Sequence, residues 1–147
     1  KLETFLSCDA GRAGKVLNGC FDDTIITYSF GRPGAPDLGL AETIADVDYT
    51  PWPGAGRTIW EEVQFRHGDY SYIAHAGFER IFEEATEEIQ TSEPFGGVVV
   101  MRGEQTIADL SCIPGTVAAP WGTGLFDAKI AAGLTWDSLA REWQPEE

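Results

Sequence analysis

The chain has 147 residues, 43% of them hydrophobic and 23% charged, which is the balance of a soluble globular protein whose single core would bury roughly 70% of the unfolded surface. Residues 1–147 therefore read as one domain. Twenty-four acidic residues against 10 basic ones leave a formal net charge of −14, so nucleic acid and anionic membranes are poor partners and a cationic protein is a good one.

The opening residues Lys1, Leu2, Glu3, Thr4 and Phe5 run straight into a β-like stretch with no charged-then-apolar targeting segment, as in the mature chain of an exported protein. Cys8 and Cys20 end short β-like runs near this terminus, and Cys112 ends another far downstream. Three cysteines allow one disulfide, which fits a periplasmic or secreted protein. Strands joined by a short connection tend to be neighbours, so Cys8 with Cys20 is the favoured pair. A bridge from either to Cys112 is the alternative, and it would close a far longer loop worth about 4 kcal/mol.

Period-two alternation recurs along the chain, with Gly, Pro and Asp punctuating it at short intervals. Residues 24–30 place Ile26, Tyr28 and Phe30 on one face of a strand. Residues 41–49 read as a further strand, with Ala41, Thr43, Ala45, Val47 and Tyr49 on one face. Glu42, Asp46 and Asp48 on the other mark it as a sheet edge.

The stretch from Tyr49 to Arg57 is the most unusual. Pro51 and Pro53 stiffen the backbone around Trp52, Gly54 and Gly56 permit close approach, and Arg57 supplies a planar donor fork. Trp and Arg dominate interface hot spots, and a pre-stiffened loop loses less entropy on binding, so this segment reads as a recognition loop. The competing reading makes Trp52 a plug over one end of the fold.

Residues 58–77 form the clearest unit. A Gly68-Asp69 turn pairs His67 with Tyr70, Phe65 with Tyr72 and Val63 with Ala74 on a core face. The opposite face then sets Arg66 by Ser71, Gln64 by Ile73 and Glu62 by His75, with Trp60 farther along. Trp60, Glu62 and His75 join the loop as candidate binding residues. Glu62 and His75 are also the minimum pair for general-base chemistry, but spacing places no nucleophile beside them. Glu61 and Glu62 point to opposite faces, against a glycosidase pair; His67 and His75 do too, against a shared metal. No cofactor motif is legible, and neither cofactor nor metal is expected.

Between residues 79 and 93, six glutamates surround Ile81, Ala85 and Ile89, whose spacing permits a short helix or a solvated loop. A second hairpin turns at Gly103-Glu104, with Val99, Met101, Ala108, Leu110 and Cys112 on one face and Val98, Val100 and Ile107 on the other. Residues 127–132 allow a helical turn or two ended by Gly133. Thr135 then caps a helix over 136–143, in which Trp136, Leu139, Ala140 and Trp143 follow the i, i+3, i+4, i+7 pattern. The whole reads as a mainly β fold, an antiparallel sandwich or barrel of hairpins with a short C-terminal helix.

With Gly54-Ala55-Gly56-Arg57 ahead of a strand in an acidic, disulfide-linked β domain, the chain resembles in outline the small periplasmic lysozyme inhibitors of bacteria. That resemblance implies a loop entering the active cleft of a strongly basic lysozyme. Trp52-Pro53-Gly54, Arg57-Thr58-Ile59-Trp60-Glu61 and Gly96-Gly97-Val98-Val99-Val100 also look like uncharacterised exported proteins of Gram-negative bacteria. The functional expectation is a non-enzymatic binding or inhibitory module for a cationic protein, such as a basic hydrolase. The alternatives are an enzyme using Glu62 and His75, and a small-molecule carrier lined by Tyr28, Phe30, Phe65 and Tyr72.

Overall fold

The computed structural model describes residues 2–10, 14–54, 56–83, 88–120 and 124–146. A first antiparallel sheet follows chain order through β1 (Glu3–Asp9), β2 (Val16–Phe21), β3 (Ile25–Arg32) and β4 (Ala35–Thr43). The turn from β2 to β3 is set by Asp22, whose carboxylate accepts the N–H groups of Thr24 at 2.8 Å and Ile25 at 2.9 Å. The bonds from Ile25 and Thr24 favour the charged form and hold that carboxyl below its usual range. In β2 the alternation is direct: Leu17, Gly19 and Phe21 are buried and the residues between them half-buried.

The second sheet runs in the order β10, β9, β7, β6, β5, from β5 (Asp48–Thr50), β6 (Thr58–His67), β7 (Tyr70–Glu83), β9 (Phe95–Arg102) and β10 (Gln105–Ser111). Every pair read from the Gly68-Asp69 turn is present, from His67 with Tyr70 through Glu62 with His75. Gly68 at φ 61° adopts the left-handed backbone that a two-residue turn demands there. The two sheets share one core, in which Leu6, Leu17 and Ile26 meet Val63, Phe65 and Val98, all nearly or fully buried. Tyr28 from the first sheet packs its ring 5.6 Å from Phe65 and 6.0 Å from Tyr72, so three of the aromatics considered for a carrier interior pack on one another. A Cβ on Gly96 would sit 2.7 Å from the Leu6 side chain, which marks how closely the sheets approach.

Several expectations need correction. Residues 41–49 are not one strand: β4 ends at Thr43 and a turn carries the chain across to β5. The Thr43 carbonyl accepts the N–H of Asp46 at 3.1 Å and of Val47 at 2.9 Å, and the Thr43 hydroxyl donates to Asp46 at 2.8 Å. Ile44 and Val47, three residues apart, are both buried, a spacing that straight alternation does not produce. Both halves are nevertheless edge strands. In the second hairpin the register shifts between Thr106 and Ala108, so Ala108 pairs with Val100 and Leu110 with Val98, not with the Val99 and Met101 face. One extra residue flips the side chains beyond it to the other side of the sheet.

The acidic stretch continues β7 to Glu83 and returns as β8 (Glu88–Thr91), with Arg80 opposite Thr91 and Ile81 opposite Gln90. A helix there would stack glutamates four apart, a repulsive arrangement that an extended ribbon avoids by sending neighbours to opposite faces. Glu84, Ala85 and Glu87 of that expectation lie outside the described residues. The helix is α1 (Gly124–Ala131), ended as expected at Gly133, which has φ 89°. Residues 136–143 are not helical. They belong to a hairpin of β11 (Leu134–Asp137) and β12 (Glu142–Pro145), where Trp136 faces Trp143 directly. The Asp137 carboxylate accepts the N–H groups of Leu139 and Ala140, both at 3.0 Å, and Arg141 turns the chain at φ 57°. A turn of that length brings i and i+7 together across a hairpin as readily as a helix does along its face.

The disulfide joins Cys8 to Cys112 and not to Cys20. In the β1/β2 register Cys8 lies opposite Leu17 and Cys20 opposite Thr4, which offsets the two cysteines along the ladder and puts them on different faces. Past β10, the N–H of Ile113 donates to the Asp9 carbonyl at 2.9 Å, which brings Cys112 to a Cα separation of 5.7 Å from Cys8. Cys20 is left as a half-buried thiol whose pKa is pushed up by burial, with a hydrogen bond to Thr4 acting against it. Replacing Cys8 and Cys112 together by Ala is expected to cost about 4 kcal/mol in urea unfolding, because the bridge closes a loop spanning 104 residues. Cys20→Ser should move the midpoint little, and thiol titration of the unfolded wild type should find one reactive group.

Candidate functional site

The C-terminal hairpin docks against the β5 edge through Trp143. Its indole N–H donates to the Tyr49 carbonyl at 2.9 Å. Its ring stacks on Tyr49 at 6.2 Å, meets Phe126 of α1 edge-on at 5.0 Å, and lies 5.3 Å from Trp136. Helix α1 is anchored by Lys129, whose buried ammonium donates to the carbonyls of Val47 and, at 3.5 Å, Ala45. Burial lowers the pKa of this amine, and the negative charges of Asp48, Asp46 and Glu42 pull the other way. The crossing turn between the sheets is thus clamped from below by a cation bound to its backbone.

Beneath the same edge, the Tyr49 hydroxyl donates to Glu61 Oε2 at 2.6 Å. Glu61 is 7% exposed and shares the inward face of β6 with Val63 and Phe65. Burial raises its pKa from 4.5 to about 7, with the Tyr49 hydrogen bond opposing, and burial together with the Glu61 charge raises that of the phenol.

Two open clefts flank the hairpin. One, of about 280 Å³, runs between the residues of the crossing turn, Tyr49, Arg66 and the hairpin; the other, of about 250 Å³, is walled by Pro51, Trp52, Pro53, Gly54 and Ser138. Trp136 and Arg141 line both. Gly54, Gly56 and Arg57 are exposed, and the two glycines, at φ 88° and 99°, hold left-handed backbone. Trp52 is half-buried along the cleft wall, with the Arg80 guanidinium 5.4 Å from its ring centroid. Arg80 is fixed in turn by donating to the Gly56 carbonyl at 2.6 Å. Ala55 lies outside the described residues.

Trp60, Glu62 and His75 occupy the outer face of the second sheet, all half-buried, with Glu62 and His75 directly opposite as expected. The row beside them runs from Trp60 through Gly77 to Phe95, and a Cβ on Gly77 would meet the Ile59 carbonyl at 2.5 Å and the Phe95 ring at 2.9 Å. Ile73, Val99 and Met101 share this face, half-buried, and Asp109 and Glu79 stand exposed at its margins. Among the described residues no three His, Cys, Asp or Glu side chains are grouped so that they could hold a metal ion. Sequence reasoning missed Tyr49, Lys129, Trp136, Arg141 and Trp143 as a group, and Glu61 as a buried acid. Parity along β6 already put Glu61 inward; nothing local announced its partner.

No family model, curated protein or solved structure matches the chain.

Glu61 makes stability depend on pH in a definite direction. Its folded pKa lies above the unfolded one, so the folded form binds more protons between the two. Its contribution is whole below pH 4.5 and is lost as pH rises through about 7. The full span amounts to about 3 kcal/mol. Glu61→Gln keeps an acceptor for Tyr49 and cannot ionise. Its urea midpoint should match wild type near pH 4.5 and exceed it at pH 8.

Proposed function

We propose that the chain is a non-enzymatic exported binding module that engages a cationic protein through the outer face of its second sheet. The observation that supports this reading is the composition of that face. Trp60, Ile73, Val99, Met101 and Phe95 make a partly exposed apolar centre, while Glu62, Glu79 and Asp109 supply carboxylates around it. An apolar patch bordered by charge is the anatomy of a protein interface, and a large indole within it is the usual anchor. The charge chooses the partner. A body at −14 draws a basic protein in by its long-range field, and the acidic rim then orients it. The exposed Arg57, three residues after Gly54, immediately precedes β6 and stands at one end of this face. The Cys8–Cys112 bridge fits an oxidising compartment.

The test is binding by immobilised protein to a panel of purified basic proteins that includes lysozyme, at low and high salt, alongside inhibition of lysozyme turnover. Association with at least one member is expected, slowed by salt, and weakened about tenfold or more by Trp60→Ala, the effect of removing an aromatic anchor. Glu62→Gln should chiefly slow association. Binding to no basic protein, or equal binding by Trp60→Ala, would overturn the reading.

A further inference from the structure

Beyond that protein-binding face, we infer that the two clefts separated by Trp136 form one groove for a neutral oligosaccharide. Each cleft alone, at about 280 and 250 Å³, falls just short of the roughly 300 Å³ at which small-molecule sites begin. They share a wall made by Trp136 and Arg141, so an occupant that uses both must be elongated and must pass over the indole. A chain of sugar rings meets that requirement. Each pyranose carries an apolar C–H face that lies on an indole and a rim of hydroxyls that both donate and accept.

The charges point the same way. In a protein with 24 acidic and 10 basic residues, the first cleft is balanced: Asp46, Asp48 and Glu142 line it together with Arg66, Lys129 and Arg141. A cationic ligand would find no excess of carboxylate there, and an anionic one would meet the field of the whole molecule. A neutral ligand is indifferent to both. Carboxylates and guanidinium groups side by side, as Asp48 and Arg66 are at 3.1 Å, offer the paired acceptors and donors that vicinal hydroxyls use. The second cleft adds the Trp52 ring and the backbone between Pro51 and Gly54 as an apolar floor, with Ser138 at its rim.

The groove is also rigid. Trp136 packs on Trp143, which is bonded to the Tyr49 backbone, and Asp137 holds the turn that carries Arg141. A preformed aromatic platform loses little entropy when a ligand settles on it.

Isothermal titration and tryptophan fluorescence with neutral oligomers of glucose, xylose, mannose and N-acetylglucosamine test the inference. At least one series should bind, with affinity that rises from monomer to trimer and does not change with salt. Trp136→Ala should lower it about tenfold or more, as loss of a stacking anchor does, and Trp136→Phe should restore part of it. Arg141→Gly removes the guanidinium while suiting the left-handed turn. It should weaken binding with an unchanged melting temperature, which guards against a Trp136 variant that misfolds. Trp60→Ala should bind the glycan normally, so failure here leaves the protein-binding face standing and the reverse. No heat and no spectral change with any series at millimolar concentration would overturn the inference. So would binding that Trp136→Phe and Arg141→Gly leave intact, or binding confined to charged saccharides and abolished by salt.

Discussion

Tyr49 is the residue on which the C-terminal hairpin depends. Its hydroxyl is bonded to Glu61 inside the sandwich, its ring carries Trp143, and its carbonyl accepts the Trp143 indole N–H. Strand β5 spans only three residues, so three independent attachments at its centre matter more than its ladder bonds. Remove them and the hairpin of β11 and β12 has little else to lean on but Phe126 and the buried Lys129. The geometry explains why a carboxyl group is tolerated in the core at all. Glu61 gives the phenol an acceptor that it cannot find among Val63, Phe65 and Ala76, and a buried hydroxyl without a partner is costly.

The same arrangement makes the sandwich close asymmetrically. At one end the sheets are joined covalently, Cys8 of the β1 edge to Cys112 just beyond the β10 edge. On the other side they are joined by the chain itself, through the turn from β4 to β5, with Lys129 bound to the carbonyls of Val47 and Ala45. One link withstands desolvation because it is covalent and neutral. The other relies on a cation held by backbone dipoles, with the carboxylates of Asp48, Asp46 and Glu42 acting to keep it charged.

The parts of this fold legible in the sequence are those decided by local alternation. The β6/β7 register followed from one Gly-Asp turn, and with it the placement of Trp60, Glu62 and His75 on one face. What alternation cannot see is a single residue that breaks it. The bulge near Ile107 and the turn at residues 44–47 each shifted parity by an amount that only tertiary contacts reveal. The Trp136 and Trp143 spacing was equally consistent with a helix face and a hairpin pair, and Asp137 with Arg141 decided between them. Cys8 found Cys112 because edge strands of different sheets meet, which is a property of sheet order and not of sequence distance. For the candidate sites the division is similar. The outer-face residues were readable one strand at a time, and the groove was not, because its walls come from β5, α1 and the last hairpin.

Net charge and local charge do different work here. The −14 field extends about a Debye length, roughly 8 to 10 Å at physiological salt, and acts on anything that approaches. Inside the groove, Arg66, Lys129 and Arg141 cancel it over the few ångströms that a bound ligand occupies. Three of the ten basic residues gathered at one hairpin edge are thus a local neutral zone in an acidic surface. A basic macromolecule has least reason to settle there and most reason to settle on the sheet face, where Glu62, Glu79 and Asp109 stand beside partly exposed apolar side chains. The sheet face and the groove meet at the β5 edge, where Asp48 and Arg66 belong to both, and what distinguishes the two is the local balance of charge.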